Sequence, residues 1–157
     1  IVIVGPQQAA PDFTGPIIVT VDGSDTSEAA IPIAAAWSLE LGVTARVVQV
    51  VAPRDDQSSD SDELAYATSV AGRFSTLAGR SAEAEVLFGR NVEATVAEYA
   101  GTVGASLIVT STHGRSGTSR LVLGSTASGF VRRAPCPVLA IRPKHFTQAG
   151  SPSPTST

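Results

Sequence analysis

Residues 111–126 read Ser-Thr-His-Gly-Arg-Ser-Gly-Thr-Ser-Arg-Leu-Val-Leu-Gly-Ser-Thr, and this stretch concentrates the groups from which an anion site could be built. It follows an apolar run and leads into an amphipathic segment. Small residues let a ligand approach the backbone, the Gly124-Ser125-Thr126 helix start presents N–H groups without intrahelical partners, and Arg115 and Arg120 supply positive charge. The matching chemistry is the cradling of phosphate oxygens, with the Ser125 and Thr126 hydroxyls as additional donors and the helix dipole favouring the anion. A plainer alternative uses the same residues: glycines that permit a tight strand-to-helix loop, closed by Ser125 as a helix cap. The spacing belongs neither to a P-loop nor to a dinucleotide fingerprint.

Other positions carry the same two-sided reading. Asp22, in Asp22-Gly23-Ser24-Asp25, accepts from a ribose hydroxyl or helps to orient a hydrated Mg²⁺ on the phosphates, or else closes its own turn by accepting from the backbone two residues on. His113 is a phosphate or ribose contact or a simple loop hydrogen-bonder. Arg115 and Arg120 neutralise phosphate or are ordinary surface cations, and Arg132 and Arg133 suit a helix C-terminus. Cys136, between two prolines, reads as a packed small residue. No catalytic triad, carboxylate pair, metal-ligand cluster or ordered calcium-loop spacing emerges, so no catalytic residue and no metal ligand is assigned.

The elements that must position these residues follow from the apolar patterning. Short, nearly continuous apolar runs at 17–21, 45–52, 84–88, 107–110 and 138–141 read as strands buried on both faces. Helical spacing runs from the 22–25 cluster through Ala30, Ala34, Trp37 and Leu41 to a stop at Gly42, and again over 63–78, 92–103 and 124–133. Asn91 is set to cap the third of these, and Pro135 and Pro137 mark the last turn. Between strand two and helix two, the polar, acidic stretch from Arg54 onward reads as a mobile loop. Alternating strands and helices give a doubly wound α/β domain, a parallel sheet with helices on both faces. Ligands in such sheets lie beyond the carboxyl ends of the strands.

Composition bounds the rest. A chain of 157 residues with 43% hydrophobic content builds one core. A net charge of −3 and a pI near 5.3 argue against a nucleic-acid-binding surface. A single cysteine fits a reducing, cytoplasmic setting, and no run is long enough to span a membrane.

The pattern of Ser111, two residues, Gly114, nine residues, then Gly124-Ser125 resembles the ATP-binding signature of the universal stress protein family, which has glycine where Ser111 stands. The resemblance extends over most of 17–143, including Val21-Asp-Gly-Ser-Asp-Thr-Ser-Glu-Ala-Ala30 and Ala134-Pro-Cys-Pro-Val-Leu-Ala140. It implies five parallel strands in the order 3-2-1-4-5, a Rossmann-like fold, and ATP bound with Mg by Thr20, Val21, Asp22, Val50, Thr110, Ser111, His113, Gly114, Arg115, Gly124, Ser125 and Thr126. Main-chain groups of Val50 would read adenine, and Thr20 and Thr110 would line the pocket. It further implies a nucleotide-dependent stress-response regulator with slow turnover at most, and pairing through the strand at 138–141, as a homodimer or between tandem domains. Residues 1–6, Ile-Val-Ile-Val-Gly-Pro, look like the closing strand of a preceding similar domain, comparable with 138–143. The expected division is then a remnant strand and linker over 1–16, the domain over 17–143, and a disordered Ser/Thr/Pro-rich tail over 144–157. Two alternatives stand beside this reading. One is an ATP-free interaction module, favoured by Ser111; the other is a slow ATPase or nucleotidyl transferase of related fold.

Overall fold

The computed structural model describes residues 2–5, 12–53, 60–112 and 125–142, with backbone alone at 60 and 125–127. The expectations for the 113–120 loop, for the mobility of 54–59 and for the tail fall outside these residues.

Each apolar run forms a strand: β2 (Ile17–Val21), β3 (Ala45–Val51), β4 (Ala82–Phe88), β5 (Leu107–Ser111) and β6 (Val138–Ile141). A two-residue strand, β1 (Val2–Ile3), precedes them. The sheet order is β1-β6-β5-β2-β3-β4. The five expected strands are parallel and stand in the order the resemblance implied. The sheet is nevertheless six-stranded and mixed, because β1 pairs antiparallel with β6, Val2 opposite Leu139 and Ile3 opposite Val138. An apolar edge strand leaves backbone donors and acceptors open, and here the chain's own N-terminal segment takes them.

The helices divide between the two faces. α2 (Ile31–Leu41) and α3 (Asp60–Ala78) lie over one, where Ile31, Ala34, Ala35, Val70, Ala71 and Phe74 pack on Ile17, Val19, Val47, Leu107 and Val109. α4 (Val92–Thr102) and α5 (Ser125–Arg133) lie over the other, where Val96, Ala100 and Phe130 pack on Ile18, Val48, Ile108 and Val138. Alternate residues of each strand thus serve alternate cores, which is why the strands read as unbroken apolar runs.

Two helix boundaries differ from the sequence expectation. The first helical pattern splits into α1 (Asp25–Glu28) and α2, with Pro32 in the first turn of the second piece. Proline has no N–H to carry one ladder through, so the chain restarts after Ala29-Ala30. The second expected helix starts at Asp60 rather than at residue 63. Acidic residues suit the positive end of a helix dipole, so part of what reads as a polar loop is the helix start. α2 stops at Gly42 in left-handed conformation (φ 71°), and Asn91 caps α4 by accepting from the Ala94 N–H at 2.8 Å.

The outer strand β4 carries Glu83 and Glu85. Arg46 Nη1 of β3 lies 2.9 Å from a carboxylate oxygen of each and donates at 2.9 Å to the Tyr99 hydroxyl of α4.

Candidate functional site

β2 and β5 are neighbours, yet the chain runs from β2 outward through β3 and β4 on one side, then crosses back to β5 and runs outward to β6 on the other, so the strand order reverses between them. That reversal opens a crevice at the carboxyl ends of the two strands. Thr20 and Thr110 stand there side by side, each one residue from the end of its strand. The Thr20 hydroxyl donates to Thr110 Oγ1 at 3.0 Å and lies 3.4 Å from the Val109 carbonyl oxygen.

The two-residue period of the strands sorts the remaining candidates. Thr20, Thr110 and Val50 share the face of Ile18, Ile108 and Val48, the face covered by α4 and α5. Val50 packs against that core and is paired with Leu87. Val21 belongs to the opposite core, under α2 and α3, so only its backbone is offered to the crevice. Ser111 falls on that opposite face too, in register with Ile141 at the last rung of β5. Its backbone is not in the positive-φ region, where among described non-glycine residues only Phe13 falls, so position 111 does not require glycine's conformational range.

α5 begins at Ser125 and covers the face that carries Thr20 and Thr110. The first N–H groups of a helix have no intrahelical acceptor, so this helix start offers donors and the positive end of its dipole. Ser125 and Thr126 form that first turn. His113, Gly114, Arg115 and Gly124 lie outside the described residues.

Asp22 follows β2 directly. Its Oδ1 accepts from the Ser24 N–H at 3.0 Å and from the Ser24 hydroxyl at 2.6 Å, while its own N–H donates to Ser27 Oγ at 3.2 Å. Ser24 in turn caps α1 by accepting from the Ser27 N–H at 3.2 Å. The turn-closing role read from the sequence is therefore present in the structure. Gly23 within this turn has φ 81°, a conformation that favours glycine.

A set of polar contacts under α3, which no motif marked, adjoins this turn. Tyr66 accepts from the Gly23 N–H at 3.2 Å and donates to Glu28 Oε1 at 2.9 Å, and Arg73 closes on the other Glu28 oxygen at 2.6 Å. One turn earlier, Glu63 accepts a hydrogen bond from the Gln49 side-chain amide of β3. Gln49 is 5% exposed, and among the described residues its Oε1 meets no donor. Residues 63, 66 and 73 share one helical face, a spacing visible in the sequence, but their partners are fixed by the rotation of α3 on the sheet.

Cys136 is buried, and burial pushes its thiol up to about 12, which removes it as a nucleophile at neutral pH. Among the described residues no three of His, Cys, Asp and Glu gather as a metal site would need, and no helix is long and apolar enough to cross a membrane.

Comparison with known proteins agrees with this architecture. The model of the Universal stress protein family matches residues 14–142. A universal stress protein of Thermus aquaticus, encoded in the 3′ region of a QAH/OAS sulfhydrylase, is 33% identical over 134 residues, covering 80% of this chain and 97% of the relative. A universal stress protein of Mycolicibacterium smegmatis is 27% identical over 156 residues, covering 92% of this chain but only 51% of the relative, so the chain spans about half that protein's length. Among solved structures, a universal stress protein in complex with cAMP superposes with a TM-score of 0.66 at 23% identity, covering 82% of this chain and 96% of that one. The Archaeoglobus fulgidus universal stress protein in complex with dAMP superposes with a TM-score of 0.65 at 23% identity, covering 82% and 98%. With its sheet order, its switch point between β2 and β5 and a family match over most of its length, the chain belongs to the universal stress protein family.

Proposed function

We propose that this domain binds ATP, together with Mg²⁺, in the crevice between β2 and β5 and acts as a nucleotide-dependent regulator of a stress response. The observation that carries the reading is the Thr20–Thr110 hydroxyl pair at the switch point, on the face that α5 covers and from which Val50 projects. In this reading the phosphates lie at the α5 N-terminus, held by backbone donors of Gly114 and 124–126 with the Ser125 and Thr126 hydroxyls. His113 and Arg115 border them. Thr20, Val21, Thr110 and Ser111 floor the crevice, Asp22 accepts from the ribose, and the main chain at Val50 reads the adenine edge. The adenine nucleotides held by two solved relatives, cAMP and dAMP, support an adenine ligand and leave the phosphate chain as the variable part. The domain holds its ligand as a signal, without efficient turnover, in the cytoplasm.

Residues 17–143 constitute the binding unit, preceded by a linker, and pairing through β6, with a second copy or with a preceding tandem domain, completes the assembly. The antiparallel seat that β1 takes on β6 supports this part of the proposal. The test is to denature freshly purified protein, identify any released nucleotide, and titrate ligand-stripped protein with Mg-ATP, cAMP and AMP by calorimetry. Saturable binding with ATP tightest is expected. A folded protein that releases no nucleotide and gives no heat with any of the three overturns the reading in favour of an interaction module without nucleotide.

A further inference from the structure

Three polar residues of α3 bear on the carboxyl ends of the same two strands from which the nucleotide reading draws its ribose and adenine contacts. Glu63 holds Gln49 of β3, next to Val50, and Tyr66 holds Gly23, next to Asp22. Arg73 then braces Glu28, the second partner of Tyr66. The chain of donors runs Gly23 N–H to the Tyr66 hydroxyl, the Tyr66 hydroxyl to Glu28, and Arg73 to Glu28, so the hydroxyl both accepts and donates and is held from two sides. The Gly23 amide is thereby committed to Tyr66 rather than to a ligand.

Within the β2–α1 turn, Asp22, Ser24 and Ser27 bond to one another, whereas the Gly23–Tyr66 bond ties the turn to a helix 43 residues further along the chain. A turn built around a left-handed glycine and bonds of this short range fixes its own local shape. Its height above the sheet is a separate matter, and that height decides whether the Asp22 carboxylate meets a ribose hydroxyl.

We propose that Tyr66 is a positioning residue for the nucleotide site: through its hydroxyl, α3 sets the Asp22–Gly23 turn at the height the ribose requires. The inference rests on the nucleotide reading above and adds to it a route by which α3, whose first turn grows out of the acidic 54–63 stretch, bears on affinity. Burial, and after it the hydrogen bond to Glu28, push the Tyr66 phenol up to about 12, so it stays protonated and keeps both bonds at every physiological pH.

The experiment titrates Mg-ATP into the full chain and into Tyr66→Phe, which keeps the ring and deletes the hydroxyl. Ser75→Ala is the matched control: it removes hydrogen bonds of the same helix, to the Ala71 carbonyl and from the Ala82 N–H, away from the turn. Tyr66→Phe deletes both bonds of the hydroxyl, and losing the one to Gly23, which holds the turn, corresponds to a dissociation constant about three- to tenfold higher. Ser75→Ala is expected to lower the melting temperature comparably and leave affinity unchanged. Hydrogen exchange at the Gly23 amide, read without ligand, is expected to accelerate in Tyr66→Phe alone. Unchanged affinity in Tyr66→Phe, or equal weakening in both variants, overturns the inference while leaving the nucleotide reading intact. If the unaltered chain binds no nucleotide, the reading falls and this inference falls with it.

Discussion

Replacing Asp22 separates its structural role from its proposed role in binding. Its Oδ1 accepts from the Ser24 N–H at 3.0 Å and the Ser24 hydroxyl at 2.6 Å, and Ser24 caps α1. Hydrogen bonds to a charged acceptor contribute about 1.5–3 kcal/mol when shielded, and the half-buried turn lets water compensate a good part of that. Asp22→Ala is therefore expected to cost about 1–1.5 kcal/mol, allowing for both bonds. In a domain of this size that lowers the melting temperature by about 2–6 °C. Asp22→Asn keeps an acceptor in the same place and is expected to cost less than half as much. Urea unfolding followed by circular dichroism and by Trp37 fluorescence reads these values. Calorimetric titration with Mg-ATP then reads the other role: a lost ribose contact in Asp22→Ala weakens binding about tenfold, whereas Asn, which still accepts, retains most of the affinity. An alanine variant as stable as the parent refutes the turn account. An alanine variant that binds ATP as tightly as the parent refutes the ribose contact.

Further expectations concern other parts of the molecule. A Cβ at Gly15 would lie 1.8 Å from the Gly104 carbonyl oxygen, so Gly15→Ala must displace backbone at the entry to β5 and is expected to cost about 1–3 kcal/mol in urea unfolding; an unchanged midpoint refutes this. Cys136, buried with its thiol pushed up to about 12, is expected to resist maleimide and iodoacetamide at pH 8 until urea unfolds the chain; rapid labelling of native protein contradicts that. The Tyr66 phenol is raised in the folded state from the ordinary 10.0 to about 12, so its contribution is complete below pH 10 and is lost as pH rises toward 12. Because the side chain is partly solvated, that loss is expected to be about 1 kcal/mol, absent in Tyr66→Phe; identical alkaline unfolding of the two proteins would exclude it. Removing residues 1–5 takes β1 from the β6 edge and is expected to increase association in sedimentation velocity, while an unchanged mass counts against that edge as a pairing surface.

The strands were legible because each is an apolar run between Gly, Pro or polar clusters, and a short run that stays apolar at odd and even positions alike suits a strand covered on both faces. Their order was not contained in periodicity; it came from the resemblance, and the β2–β5 adjacency bears it out. Once that adjacency is given, the two-residue period alone brings Thr20 and Thr110 together. The same period separates residues that stand side by side in the chain: Val21 and Ser111 point away from the face that carries the two threonines. The Tyr66 and Gln49 contacts were invisible because a tyrosine and a glutamate three apart on a helix read as ordinary surface, and their partners depend on how α3 is rotated against the sheet. The start of α3 at Asp60 was missed because acidic residues are equally at home in a loop and in a first helical turn.

The two borders of the sheet are unlike each other. At one, the apolar β6 is covered by the two residues of β1; at the other, β4 presents Glu83 and Glu85, with Arg46 turned toward them. A strand laid against β4 would crowd those carboxylates and strip their water, whereas one laid against β6 meets Val138 and Leu139. A particle with two adhesive ends propagates into fibres, while a particle with one terminates in pairs. In the proposed pairing through β6, the charge on β4 would act as a chain stopper, so that an edge freed of β1 ends in pairs and not in polymers.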